Sequence, residues 1–197
     1  AAHYCPVKKH ACLFTSIQAL QRRLTEAGVR SIVIGGVAVG IWGEPRVTRD
    51  ADLKILLERK DAEFLLAILN PGYDSLLPDP RATIQRQAML FVKDGDETRL
   101  DLLLADTPYD IGAVCRGHAI EVMPGITLTV CSPEDLIIYK LISTRPRDHE
   151  DADGVIRRQG DALDEKYIVG WLRQFEQAFD DSTLVATFHS LRRQKKF

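Results

Sequence analysis

The stretch VIGGVAVGIWGEPRVTRDADLKIL, residues 33–56, decides how the rest of the chain is read. It opens apolar, breaks at Gly35 and Gly36, and resumes as a second apolar run interrupted by Asp50 and Asp52. RSIVIG reads as a short buried strand, GGVAVGIWG as a short helix opening at the glycines, and ADLKILL as a second strand. Side chains alternate along a strand, so Asp50 and Asp52 face one way while Ala51 and Leu53 face the core. Two carboxylates held this close repel, and a divalent cation removes that penalty. Hard oxygen ligands suit Mg²⁺ (or Mn²⁺), which keeps several waters and binds substrate phosphates. A pair of acids on the solvent face of an edge strand would give the same pattern. The glycines bear on that choice. Glycine lets the backbone approach a ligand, and free N–H groups at a helix N-terminus attract phosphate. A tight strand-to-helix turn with no ligand also fits them.

A third carboxylate is then expected, and Asp101 supplies it, set among leucines in RLDLLLA. A lone acid in such a run is unusual without a purpose. The structural alternative is a salt bridge to Arg99, two residues away on the same face. Working outward, FTSIQALQRRLTEAG has Ile17, Leu20 and Leu24 at helical spacing, with Gly28 as its stop. KDAEFLLAIL reads as a helix closed by the turn NPGYD. AMLFV and TRLDLLLA are strands joined by the hairpin signal KDGDE. The polar stretch DSLLPDPRATIQRQ reads as a loop, either a substrate contact or plain surface. TPYDIGAVCRG reads as a short helix, and AIEVM and ITLTV as strands flanking the turn PG. SPEDLIIYKLIST begins with Ser132 as N-cap and Pro133 in the first turn. From there the chain reads as helical, with breaks near Pro146, Gly160 and Asp180. Strands mixed with helices come first and helices alone follow. That order predicts an α+β fold: an α/β core over residues 1–131 and a helical C-terminal part over 132–197.

The 197 residues are 45% hydrophobic and 27% charged, ordinary for one compact globular unit. A net charge of −2 gives no global basic signature for nucleic acid. Cys5, Cys12, Cys115 and Cys131 lack CxxC spacing, so reduced thiols in a cytoplasm are the expectation. No apolar run approaches the roughly 20 residues of a membrane span, so no membrane partner is expected. The histidines have no ligand spacing.

These segments resemble the DNA polymerase β-like nucleotidyltransferase superfamily, whose signature is a di-glycine in a strand–helix turn, then DxD, then a lone Asp in a later strand. The resemblance is strongest to the AbiEii-type nucleotidyltransferases, the toxin class of certain bacterial toxin–antitoxin pairs. GGVAVGIWGEPRVTRDADLKI is similar to that family's first motif, including the cadence Arg46, Thr48, Asp50, Asp52. SPEDLIIYKLISTRPRDHEDADGVI resembles its later motif, with Lys140, then Arg145 or Arg147, then Asp148 and Asp151. Relatives often carry Ile or Val between the paired acids, where this chain has the smaller Ala51.

The resemblance implies a minimal nucleotidyltransferase fold, a mixed sheet flanked by helices, and a Mg²⁺-dependent transfer of NMP from an NTP to an acceptor hydroxyl on RNA or protein. Asp50, Asp52 and Asp101 would be the catalytic, metal-holding acids. Gly35, Gly36, Arg46, Thr48 and Lys140 would serve the nucleotide, with Asp148 and Asp151 in support. Thr48 alternatively only fits the strand entry, Lys140 is alternatively a solvated lysine, and Asp148 and Asp151 either orient Lys140 or pair with Arg145 and Arg147. Lys54 either supports the carboxylates or points away. A cognate toxin or antitoxin partner is implied. The alternatives are a catalytically inactive nucleotide-binding or antitoxin-like module of the same fold, and a metal-dependent phosphohydrolase using the same acids.

Overall fold

The computed structural model describes residues 6–45, 47–48 and 50–193, with side chains from residue 12 onward. The chain divides into two compact units. One comprises Ala1–Val37 and Val47–Cys131, the other Ala38–Arg46 and Ser132–Phe197.

The first unit is built on a seven-stranded mixed sheet. In chain order its strands are β1 (Ser31–Ile34), β2 (Ala51–Ile55), β3 (Tyr73–Ser75), β4 (Met89–Asp94), β5 (Arg99–Leu104), β6 (His118–Met123) and β7 (Ile126–Val130). Their order across the sheet is β3-β4-β5-β2-β1-β7-β6. β2 runs parallel to β5, and β1 parallel to β7. All other pairs are antiparallel. Alternation separates the two faces. Ala51, Leu53 and Ile55 of β2 join Leu100, Leu102 and Leu104 of β5 as buried residues, whereas Asp52, Lys54 and Asp101 on the other face stay partly accessible. Helix α1 (Pro6–Glu26) packs on β1 and β7, with Ile17, Leu20 and Leu24 fully buried along one stripe. Burying each such side chain contributes about 1.5–3 kcal/mol. Gly28, at φ +77°, ends it as the sequence predicts.

Two short helices, α3 (Ala62–Leu69) and α4 (Pro80–Gln87), follow. The polar stretch expected to be a loop is therefore in part a helix, Pro80–Gln87. Asp79 caps α4 by accepting the Ala82 N–H at 2.9 Å, and Pro80 starts its first turn. Helix α5 (Pro108–Cys115) lies beside β2, capped by Thr107.

Helix α2 (Gly35–Trp42) carries the chain from the first unit into the second. The second unit holds the end of α2 with α6 (Pro133–Leu141), α7 (Pro146–Gln159), α8 (Glu165–Phe179) and α9 (Leu184–Arg193). Ser132 caps α6, accepting from the Asp135 N–H at 3.0 Å. Residues 38–46 sit with these helices because α7 grips them. Arg158 donates to the Gly43 carbonyl at 2.6 Å, and Gln159 to that of Trp42 at 2.7 Å. A Cβ on Gly43 would stand 2.9 Å from Val155 Cγ2 and 3.0 Å from its backbone N, so only glycine permits this approach. Among the described residues no helix is long and apolar enough to cross a membrane.

Candidate active site

Strand pairing brings the first unit's acids together. Asp52 on β2 is the direct register partner of Asp101 on the parallel strand β5. Neighbouring strands lie about 4.8 Å apart and register partners point to the same face, so the two carboxylates stand side by side. Asp50 lies one residue before β2 and is exposed. Its carbonyl oxygen accepts the Thr48 hydroxyl at 3.0 Å, which shapes the entry into the strand. Arg46 falls outside the described residues.

On the other side of β2, Ile34 pairs with Asp52, and the chain turns at Gly35 into α2. Gly35 has φ +62°, and a Cβ there would lie 2.0 Å from Asp52 Oδ2 and 2.8 Å from its Cγ. The Gly35 backbone therefore packs directly on the Asp52 carboxylate, and no other residue fits the position. Gly36 is buried in the first turn of α2. The predicted sequence of strand, glycine turn, helix and acid-bearing strand is thus a single spatial constellation.

Asp101 has taken the partner named as its structural alternative. Arg99 Nε donates to Oδ1 at 2.7 Å and Nη2 to Oδ2 at 3.0 Å, a two-pronged fork. The Arg99 guanidinium carbon also lies 5.0 Å from the centre of the Phe91 ring, and Phe91 is the β4 register partner of Asp101. The hydrogen bonds to Asp101 hold Arg99 above its ordinary pKa against the opposing effect of burial, and the charges of Asp101, Asp50 and Asp52 act in the same direction. Among the described residues, no three His, Cys, Asp or Glu side chains are arranged to hold one metal ion. The pair Asp52 and Asp101 does put carboxylate oxygens, the ligand type a hard cation takes, on one sheet face.

Lys54 points along the same face into an ion pair with Asp110, Nζ to Oδ1 at 2.8 Å. Asp110 is buried and also accepts the Thr107 hydroxyl at 2.9 Å. The sequence signal for that local arrangement was present in TPYD, a capping pattern. The long-range link to Lys54 left no mark in the sequence, and neither did the stacking on Phe91.

The later motif forms a separate cluster inside the second unit. Lys140 is 7% exposed, so it is not a solvated lysine. Its ammonium lies 2.5 Å from Asp148 Oδ1 and 2.9 Å from Asp151 Oδ2. Asp148 also accepts the Ser143 hydroxyl at 2.5 Å. Burial opposes ionisation of Asp148, but hydrogen bonds from Lys140 and Ser143 and the charges of Lys140 and Arg145 outweigh it and lower its pKa. The two aspartates, one helical turn apart on α7, clasp Lys140.

No family model and no curated protein matches the chain by sequence. Solved structures match it in fold. The solution structure of the antibiotic-resistance factor ANT(2'')-Ia gives a TM-score of 0.58 at 18% identity, covering 86% of this chain and 96% of that one. ANT(2'')-Ia in complex with adenylyl-2''-tobramycin gives 0.54 at 18% identity, covering 82% and 98%. An antigenic nucleotidyltransferase-like protein from Paracoccidioides brasiliensis gives 0.52 at 17% identity, covering 90% and 96%. The α+β fold of this chain is that of these nucleotidyltransferase-fold structures.

Proposed function

We infer that this chain is a nucleotidyltransferase that moves a nucleoside monophosphate from an NTP to an acceptor hydroxyl, with its centre on the acid face of β2 and β5. The observation that carries this reading is the pairing of Asp52 with Asp101 across two parallel strands, beside the Gly35 backbone at the head of α2. The fold shared with nucleotidyltransferase structures supports it. In the reaction the acceptor hydroxyl gives up its proton and its oxygen bonds to the α-phosphorus. The bond from that phosphorus to the oxygen bridging the β-phosphate breaks, and pyrophosphate leaves.

Asp50, Asp52 and Asp101 are the residues that would hold Mg²⁺ or Mn²⁺, which when bound neutralises phosphate charge and activates the attacking hydroxyl. Gly35 and Gly36 present backbone without Cβ atoms to the triphosphate at a helix N-terminus. Thr48 fixes the turn that delivers Asp50. Lys140, Asp148 and Asp151 act as an internal charge cluster that orders the second unit, because the ammonium already has two carboxylates. Within the superfamily, the order of Arg46, Thr48, Asp50 and Asp52, followed by Lys140, Asp148 and Asp151, favours the AbiEii type and a cytoplasmic toxin-like role on RNA or protein.

Incubation with each α-labelled NTP, Mg²⁺, total cellular RNA and protein, and a tobramycin-type aminoglycoside tests this reading. A labelled acceptor with pyrophosphate release, lost in Asp52→Asn, is expected. Phosphate release with no labelled acceptor would make the chain a phosphohydrolase. Nucleotide binding without turnover, indifferent to Asp101→Asn, would make it a binding module.

A further inference from the structure

We propose that Arg158 and Gln159 of α7 are positioning residues for the candidate site: by capping the end of α2 they hold the Gly35 turn against Asp52. This deepens the nucleotidyltransferase reading and rests on it. The last carbonyls of a helix have no partner within it. Many helices end on a left-handed glycine that turns the following N–H groups back onto those carbonyls. α2 does not, because Gly43, the residue after Trp42, lies outside the left-handed region. Nor does its last turn carry a basic side chain to meet the negative end of the helix dipole. α7 supplies both from positions 115 and 117 residues away along the chain. Gln159 Nε2 donates to the Trp42 carbonyl at 2.7 Å, and Arg158 Nη1 to the Gly43 carbonyl at 2.6 Å, which puts a guanidinium at the helix end. Shape locks the same segment. An added Cβ on Gly43 would meet Val155 at 2.9 Å, and one on Gly154 would stand 3.2 Å from Glu44 Cγ.

α2 is short and packed along its length. Its 8 residues span about 12 Å, and Val37, Ala38 and Val39 are buried. A helix of this size moves as a unit, so its two ends are not independent. At its head, the Gly35 backbone already packs on the Asp52 carboxylate with no room for one further carbon. A tail released from α7 lets the helix tilt or slide, and the head then lifts from Asp52 or presses into it. The chain leaving the clamp also leads, through Glu44 and Pro45, to Thr48 and Asp50. Two side chains of α7 therefore fix both the glycine turn and the approach to the acid-bearing strand. Hydrogen bonds that served only to close the end of α7 would cost stability when lost and leave the Gly35 turn where it is.

Two measurements on the full chain separate these cases: amide hydrogen exchange read by mass spectrometry, and NMP transfer from each α-labelled NTP to total cellular RNA and protein. In Arg158→Met with Gln159→Met, exchange should quicken through α2 as far as the Gly35 turn. Transfer should fall by roughly tenfold to 100-fold, since a misplacement of about 1 Å costs about 100-fold. Arg158→Lys keeps a cationic donor and should recover part of the rate. Arg192→Met is the control. It removes an arginine that ties α9 to Glu165 of α8 in the same unit, away from the clamp, and should keep transfer within a few-fold of the parent. Thermal melts show which variants are folded, and Gln159→Met alone, with a smaller effect in the same direction, serves if the double variant is not. Exchange confined to the last turn of α2, or transfer in the folded clamp variant equal to that in Arg192→Met, overturns the proposal while leaving the nucleotidyltransferase reading standing. No transfer by the parent, or transfer unchanged in Asp52→Asn, removes that reading and this inference with it.

Discussion

Gly35 is the residue on which the candidate site is most sensitive to a single atom. Its φ of +62° and the 2.0 Å that would separate an added Cβ from Asp52 Oδ2 leave no compatible side chain. Gly35→Ala must therefore move Asp52 or the turn. A displacement on the order of 1 Å in a phosphoryl-transfer site costs roughly 100-fold in rate. NMP transfer should fall by at least that factor in a variant that still gives a cooperative melt, and transfer within a few-fold of the parent would remove Gly35 from the site. Lys140 makes the opposite case, a residue whose sequence reading offered phosphate ligand or solvated surface. It is buried between Asp148 and Asp151, so Lys140→Met would leave two carboxylates facing each other. Breaking a buried pair on one side costs about 3 kcal/mol or more. Denaturant unfolding of Lys140→Met should show that loss, and Lys140→Met with Asp148→Asn should recover part of it. Gly35 was legible because a glycine pair at a strand's end has few uses. The clasp around Lys140 was only half legible, since residue spacing shows that two acids share a helix face but not which cation lies opposite.

At the scale of elements, periodicity reported most of what the structure contains. The stripe Ile17, Leu20, Leu24 made α1, and alternation about Asp52 and Asp101 made β2 and β5. Helix α4 escaped because its only fully buried residue is Ile84, too little for a periodic signal. Its capping pair Asp79-Pro80 was the readable cue. Polar contacts between elements far apart in sequence were not readable. Gln21 on α1 is buried, and its amide donates to the Thr129 carbonyl at 2.8 Å while accepting the Thr129 N–H at 2.9 Å. It thereby satisfies backbone groups of β7. Gln21→Leu keeps the helix and its packing volume but strands one buried donor and one acceptor. That should cost about 1–3 kcal/mol in denaturant unfolding. A loss under half a kcal/mol would mean that water reaches Thr129 and the helix–strand register rests on apolar packing alone.

For the whole molecule, the progression from mixed strands and helices to helices alone predicted an α+β chain, and the structure has that form. The grouping of residues 38–46 with the later helices was not predicted, because the hydrogen bonds from Arg158 and Gln159 that hold them span more than a hundred residues of sequence. Charge placement has a consequence for stability against acid. In the folded chain Asp148 ionises more readily than an ordinary aspartate: burial works against its charge, and Lys140, Ser143 and Arg145 together overcome that. The folded state therefore binds this proton less tightly than the unfolded chain does. Its contribution to stability is complete above the unfolded carboxylate range, about pH 4, and is lost as pH falls through the lower folded value. Asp181, held by Thr183, is shifted in the same direction, so absolute melting curves mix the two. The difference between the parent and Asp148→Asn isolates one of them. That difference in melting temperature should be flat from neutral pH to about pH 5 and shrink progressively below about pH 4. A difference that stays constant down to pH 2.5 would show that Asp148 is not held below the usual range, and that the ion pair with Lys140 contributes nothing to the folding equilibrium.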